Sequence, residues 1–129
     1  MAKKVLIVDD EPNIVASLEF LLRQSGYEVH VAADGAAALR QVQAVAPDLV
    51  LLDVMMPETN GYDVCQRIRA HPEWRNVRIV ILSAKGREAE MTKGLSLGAD
   101  AYVTKPFSNA ELVARIGELL REGGGPGGV

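Results

Sequence analysis

The chain is poor in cysteine and aromatics, and it has no long apolar run and no basic run. Each shortage excludes something. A single cysteine, Cys65, closes no internal disulfide and supplies no zinc site. That suits a reduced setting, and the expected compartment is the cytoplasm. The longest apolar runs are four or five residues, far short of the roughly 20 that span a bilayer. No apolar N-terminal stretch has the pattern of an export signal. No membrane partner is expected. Lys and Arg number 14 against 17 Asp and Glu, a formal net charge of −3. A mildly acidic chain without a basic stripe is a poor match for direct nucleic-acid binding. What is present is ordinary for one globular domain: 129 residues, 48% apolar and 24% charged.

Short apolar runs alternate with helix-like stretches. Val5-Leu6-Ile7-Val8, Leu49-Val50-Leu51-Leu52 and Ile79-Val80-Ile81-Leu82 are continuous, which predicts strands covered on both faces. Residues 28–32 and 101–104 make weaker strands at or near the sheet edges. Ile14, Leu18, Leu21 and Leu22 recur at helical spacing behind Pro12, and Gly26 stops that helix. Further helices are predicted over 36–45, 61–70, 88–97 and 107–121, the last opening on the capping-box pattern of Ser108 and Glu111. Five strand–helix units with right-handed crossovers make an α/β, flavodoxin-like, doubly wound five-stranded parallel sheet. The predicted strand order is 2-1-3-4-5. The expected domain is 1–121, with 122–129 a flexible glycine-rich tail or stub of linker.

The strand ends carry the chemistry. The first strand ends in Asp9-Asp10, the third in Asp53, the fourth in Ser83 and the fifth in Lys105. In an open parallel sheet these carboxyl ends line the ligand crevice. Each residue also has a plainer reading. Asp9 and Asp10 are good helix caps, yet with Asp53 they form a hard oxygen cluster suited to Mg²⁺. Asp53 fits a turn before Pro57 and Gly61, but a carboxylate closing an apolar strand needs partners and is a potential nucleophile. Ser83 fits a helix cap, or a donor to a phosphoryl oxygen with room left by Ala84 and Gly86. Lys105 is by default a solvated charge; facing three acids, it neutralises them and pairs with a phosphoryl group. Pro106 after it permits a cis bond. Tyr102 fills the core edge, or moves inward with the Ser83 hydroxyl. Cys65 is a packed small hydrophobe. His30 and His71 belong to the surface or strand edge, and Trp74 to the surface or a lid.

Taken together, these motifs resemble a family. Val8-Asp9-Asp10-Glu11-Pro12, Asp53-Val54-Met55-Met56-Pro57 with Gly61, Leu82-Ser83-Ala84, Gly98-Ala99-Asp100-Ala101-Tyr102 and Lys105-Pro106-Phe107 are similar, in order and spacing, to the response-regulator receiver domain of two-component (phosphorelay) signalling, CheY-like in kind. The resemblance covers about residues 3–121. It implies that Asp53 is the phosphoacceptor. Asp10, Asp53 and the Met55 backbone carbonyl would hold Mg²⁺, with Asp9 acting through water. Lys105, Ser83 and the Ala84 backbone would bind the phosphoryl group, and Ser83 and Tyr102 would form the switch pair. Ser83 stands where Thr is commoner, and the Met55 side chain is expected to crowd the entry path for water.

The implied role is signalling rather than metabolic catalysis. A histidine kinase or histidine phosphotransfer protein donates a phosphoryl group, and the face of helix 4, strand 5 and helix 5 then controls a downstream effector that the sequence leaves unnamed. Catalysis is limited to the chain's own phosphorylation and dephosphorylation. That face resembles the one through which DNA-binding regulators dimerise, with Lys93, Asp100, Glu111 and Arg115 present. Met91, Ser96 and Ala101, however, replace the usual charges. A monomer is expected, with a weak phosphorylation-dependent dimer as the alternative. Competing classes are a Mg²⁺-dependent aspartyl-phosphate phosphatase, a flavodoxin-like electron carrier and a non-phosphorylated interaction scaffold. The phosphatase normally needs an acid where Met55 stands. The carrier needs a phosphate loop where Asp9-Asp10-Glu11 would repel the flavin phosphate.

Overall fold

The computed structural model describes residues 2–56, 59–84 and 88–123. The sheet has five parallel strands: β1 (Lys4–Val8), β2 (Glu28–Ala32), β3 (Leu49–Asp53), β4 (Arg78–Ser83) and β5 (Ala101–Thr104). Their order is β2-β1-β3-β4-β5, as the alternation of elements predicts. Five helices intervene: α1 (Pro12–Gln24), α2 (Gly35–Val45), α3 (Gly61–Ala70), α4 (Glu88–Ser96) and α5 (Asn109–Gly123).

The continuous apolar runs are explained by two cores, one on each side of the sheet. Leu6, Val8, Val50, Leu52, Ile79 and Ile81 point to the side covered by α2 and α3. Their sequence neighbours Val5, Ile7, Leu49, Leu51, Val80 and Leu82 point to the side covered by α1 and α5. Strand side chains alternate between faces, so a strand covered twice needs apolar residues at every position. Each fully buried Leu, Ile or Val contributes about 1.5–3 kcal/mol. The centre of the sheet is therefore rigid, and polar groups enter only at its ends.

Local chemistry sets the helix boundaries. Pro12 starts α1 and Gly26, at φ 94°, follows it. The Asp34 carboxylate accepts from the Ala37 amide at 2.8 Å to cap α2, and Asn60 does the same for Tyr62 at 2.9 Å in α3. Ser108 Oγ accepts from the Glu111 amide at 3.3 Å, half of the expected capping box. Helix α5 runs two residues past the expected end, to Gly123. The rest of the tail lies outside the described residues, as do Pro57 and Gly86.

Two features escaped the periodicity. Met55–Met56 pairs with Thr59–Asn60 in a two-stranded antiparallel hairpin between β3 and α3. Residues Pro72–Trp74 form a 3-10 turn after α3. Both are too short for any repeat to register.

Candidate functional site

Asp9 follows the last residue of β1, Asp53 ends β3 and Ser83 ends β4. All three are buried, at 1%, 2% and 0% exposure, and they are the buried polar residues of the described chain. Carboxylates are rarely that dry without partners. Here one partner of the two acids is Lys105. Its Nζ lies 3.3 Å from Asp9 Oδ2, 3.5 Å from Asp53 Oδ2 and 3.7 Å from Glu11 Oε1. The backbone brings it there: the Lys105 amide donates to the Ser83 carbonyl at 2.8 Å, extending the β4–β5 ladder by one residue. The Lys105–Pro106 bond is cis.

Carboxylate oxygens of Asp9, Asp10 and Asp53 lie within 4.8 Å of one another. Three carboxylates facing one ammonium leave excess negative charge. That donor set, hard oxygens only, fits a divalent cation such as Mg²⁺. Lys105 feels the same field. Burial acts to lower its pKa, and the charges of Asp53 and Asp9 with the Asp9 hydrogen bond outweigh it, so the ammonium is held above its ordinary value.

The plainer reading of Asp9 as a side-chain cap of α1 is not what the structure uses. Helix α1 is preceded by Glu11, with no side-chain cap bond, while Asp9 Oδ1 accepts from the Glu11 amide at 2.9 Å and stays turned into the crevice. Ser83 is separated from the first described residue of helix α4, Glu88, by a segment that lies partly outside the described residues. Ser83 pairs in register with Thr104, and Ile81 with Tyr102. Ser83 and Tyr102 thus stand on one face of the sheet, on adjacent strands. Tyr102 is buried, at 8% exposure. Ala84 is exposed just beyond Ser83. Met55 follows Asp53 by two residues in the short hairpin; its side chain, and with it the expected crowding of the water path, lies outside the described residues.

The chain matches the family model for the response regulator receiver domain over residues 5–117. It belongs to the response regulator receiver domain family. Among curated relatives, the sensory transduction protein RegX3 of Mycobacterium bovis and Mycobacterium tuberculosis is 47% identical over 120 residues, 93% of this chain and 52% of RegX3. The receiver chain thus spans about half the length of the curated relatives it matches. Among solved structures, chemotaxis response regulator CheY4 of Vibrio cholerae superposes with a TM-score of 0.87 at 29% identity, covering 92% of this chain and 99% of that one. The BeF3-activated N-terminal receiver domain of Klebsiella pneumoniae RstA gives 0.86 at 30% identity, with 92% and 99% covered. The receiver assignment and the flavodoxin-like fold expected from the motifs both hold. No helix among the described residues is long and apolar enough to cross a membrane.

Sequence reasoning quoted Gly61 and Asp100 within its motifs but missed what each supports in the receiver fold. A Cβ at Gly61 would lie 2.5 Å from Val54 Cα and 2.6 Å from the Asp53 carbonyl oxygen. Gly61 is therefore what lets α3 start against the loop that carries the acid. Asp100, counted above among residues open to a partner, is engaged inside the domain. It accepts from Arg69 Nη2 at 2.9 Å, Arg78 Nη1 at 3.1 Å and the Ile79 amide at 2.8 Å. An Asp between two alanines carries no local sign of such a role.

Proposed function

We propose that this receiver domain accepts a phosphoryl group on Asp53 from a phosphohistidine of a histidine kinase or histidine phosphotransfer protein. The observation that carries the reading is the buried cluster of Asp9, Asp10 and Asp53 around Lys105. An Asp53 oxygen attacks phosphorus in line; the new O–P bond forms as the P–N bond to histidine breaks. The electron pair returns to the imidazole, which takes up a proton. Transfer of this kind needs positioning and charge stabilisation more than bond-making groups. Lys105 is a cation within reach of Asp53, and it swaps carboxylate contacts for phosphoryl oxygens as charge grows there. Asp10, Asp53 and the Met55 carbonyl, with Asp9 through water, would hold Mg²⁺, which supplies charge neutralisation and a template for the phosphoryl oxygens. The Ser83 hydroxyl and the Ala84 amide are the donors assigned to the remaining oxygens.

Phosphorylation then shifts the balance between two packings of Ser83 and Tyr102 and alters the face made by α4, β5 and α5. An open groove of about 420 Å³ runs along that face, lined in part by Tyr102, Phe107, Glu111 and Arg115. It is the surface we assign to the effector. With Asp100 tied inward, the chain is read as a monomer whose functional unit is 1–121, in a reduced cytoplasmic setting. Its role is signalling, with catalysis confined to its own acyl phosphate.

The test is intact mass after incubation with acetyl phosphate, on wild type and Asp53→Ala, with and without Mg²⁺. One phosphoryl adduct is expected on wild type with Mg²⁺ and in no other sample. No adduct, together with no beryllofluoride binding, would leave the chain an interaction scaffold.

A further inference from the structure

Helix α4 is fastened to the domain differently from the other four. Those helices bury branched apolar side chains completely: Leu22 in α1, Val42 in α2, Ile68 in α3 and Ile116 in α5. Among the described residues of α4, the buried one is Gly94. Met91 is partly buried against the core, and Leu95 is 47% exposed. A Cβ on Gly94 would lie 2.9 Å from Ile81 Cδ1 and 3.0 Å from the Tyr102 ring, so the α4 backbone rests close on β4 and β5 there. Two further contacts come from α3. Tyr62, its second residue, is buried, and the hydroxyl donates to Glu90 Oε2 at 3.0 Å across 28 residues of chain. Lys93 Nζ sits 4.6 Å from the centroid of the same ring, within cation–π range. Residues three apart share a helix face, so Glu90 and Lys93 meet Tyr62 together, one at its hydroxyl and one over its ring.

We propose that Tyr62, Glu90 and Lys93 form a clasp that fastens α4 to the start of α3 and acts as a brake on movement of the output face. The clasp stands on the contacts just given; its bearing on the switch rests on the phosphoacceptor reading above. A segment with few buried apolar side chains opens locally at low cost, so directional polar contacts carry a larger share of what holds α4 in place. The Tyr62–Glu90 bond has a charged acceptor, which makes it one of the stronger kind. Burial above all holds the Tyr62 hydroxyl far above the ordinary phenol range, so it keeps the proton it donates at every physiological pH. Lys93 adjoins Gly94, where the helix lies against Tyr102. The clasp therefore grips α4 beside its closest approach to the switch residue. A ligand that favours a moved α4 must open the clasp, and its affinity falls by the fraction of time the clasp is closed.

The experiment is amide hydrogen exchange of the full chain without ligand, followed by titration with beryllofluoride and Mg²⁺. Wild type, Tyr62→Phe, Glu90→Ala and the double variant are compared. Tyr62→Phe keeps the ring and the Lys93 contact and removes only the hydroxyl. The α4 amides are expected to exchange about tenfold faster in either single variant, the equivalent of one hydrogen bond to a charged acceptor. Amides of β1 and β3 should keep wild-type rates. The double variant should be no faster in α4 than the single ones, because both remove the same bond. Lys93→Met should speed α4 about threefold, the loss of one exposed cation–π contact. Beryllofluoride should bind Tyr62→Phe about three- to tenfold more tightly than wild type. A merely structural Tyr62 would speed exchange in strands and helices alike and leave the affinity equal or weaker, and that result overturns the clasp. Unchanged α4 exchange overturns it too. Faster α4 exchange with unchanged affinity would overturn the brake. Failure of wild type to bind beryllofluoride would instead overturn the phosphoacceptor reading, and the unligated exchange would still decide the clasp. Glu90 is half-buried, so its variant reads the same bond if the phenylalanine variant unfolds.

Discussion

Lys105 shows how one residue's charge is set by its neighbours. Its side chain is 14% exposed and lies within 3.7 Å of three carboxylates. Burial lowers its pKa, the Asp53 and Asp9 charges raise it further than burial lowers it, and the net shift is upward from 10.5. A cation whose folded pKa is raised stabilises the fold fully below its unfolded pKa and loses that contribution as pH rises through the folded value. The stability gap between wild type and Lys105→Met should therefore be flat across the neutral range. It should shrink only in alkali above 10.5, as read by urea unfolding at stepped pH. A gap that closes near neutrality would contradict the ion-pair geometry. Cys65 is the opposite case. It is fully buried, with Sγ 3.6 Å from the Leu97 carbonyl oxygen. Burial pushes its thiol pKa up, Asp100 adds to this and Arg69 opposes it. A neutral, covered thiol is a poor nucleophile, so Cys65 should react with Ellman's reagent only at the rate at which the native fold opens. Fast modification in buffer would show that the α3–α4 region is looser than its packing implies.

At the scale of elements, the connection from β3 to α3 matters most. The chain must leave a buried strand, present Asp53, turn through the hairpin and enter a helix against the same strand end. Asn60 caps that helix, and Gly61 allows the contact with Val54 and the Asp53 carbonyl. A methyl group there meets backbone at 2.5 Å and 2.6 Å, which no side-chain rotation relieves. Gly61→Ala should cost about 1–3 kcal/mol, the usual range for overpacking. It should also weaken Mg²⁺ binding, because the loop that must yield carries the assigned ligands. Urea unfolding and a Mg²⁺ titration check the two parts separately. Loss of stability without loss of Mg²⁺ affinity would mean that the loop relaxes away from the acids. The strands and α3 were legible in the sequence because each is a run of regular period, whereas the hairpin is only two residues per strand.

For the whole molecule, the acidic cluster sets fold stability against function. Asp9, Asp10 and Asp53 bring like charges together at the carboxyl end of the sheet, with Lys105 opposing Asp9 and Asp53 directly. Removing one charge without changing shape should relieve that repulsion. Asp53→Asn is expected to unfold at higher urea than wild type in the presence of a chelator. Mg²⁺ should reverse the ranking. A ligand that binds only the folded state adds about 1.4 kcal/mol at ten times its dissociation constant, and wild type should gain this while the variant gains less. An Asp53→Asn variant less stable than wild type without Mg²⁺ would mean that the Lys105 contact outweighs the repulsion. The Asp100 clamp acts at the same scale. It joins Arg69 of α3, Arg78 and Ile79 of β4 and the turn before β5 in one network. Arg69 adds bonds to the carbonyls of Gly98 at 2.8 Å and Val77 at 2.7 Å.

The amino-acid sequence by itself determined the order of elements, the two-sided sheet and the set of chemical groups at the strand ends. All of these follow from short-range pattern: runs covered twice must be apolar throughout, and a polar residue can enter only where the run stops. Only the tertiary structure decided the pairings. Lys105 and Asp9 are 96 residues apart and meet at 3.3 Å because the parallel strands β1 and β5 both run out at the carboxyl end of one sheet. Asp100 turns inward, although its sequence neighbourhood would suit a surface charge equally well, because two arginines from other elements arrive beside it. Tyr62 looks like one more apolar-face residue of α3 until α4 brings Glu90 to its hydroxyl. Contacts of this kind depend on distances between elements, which no local period encodes.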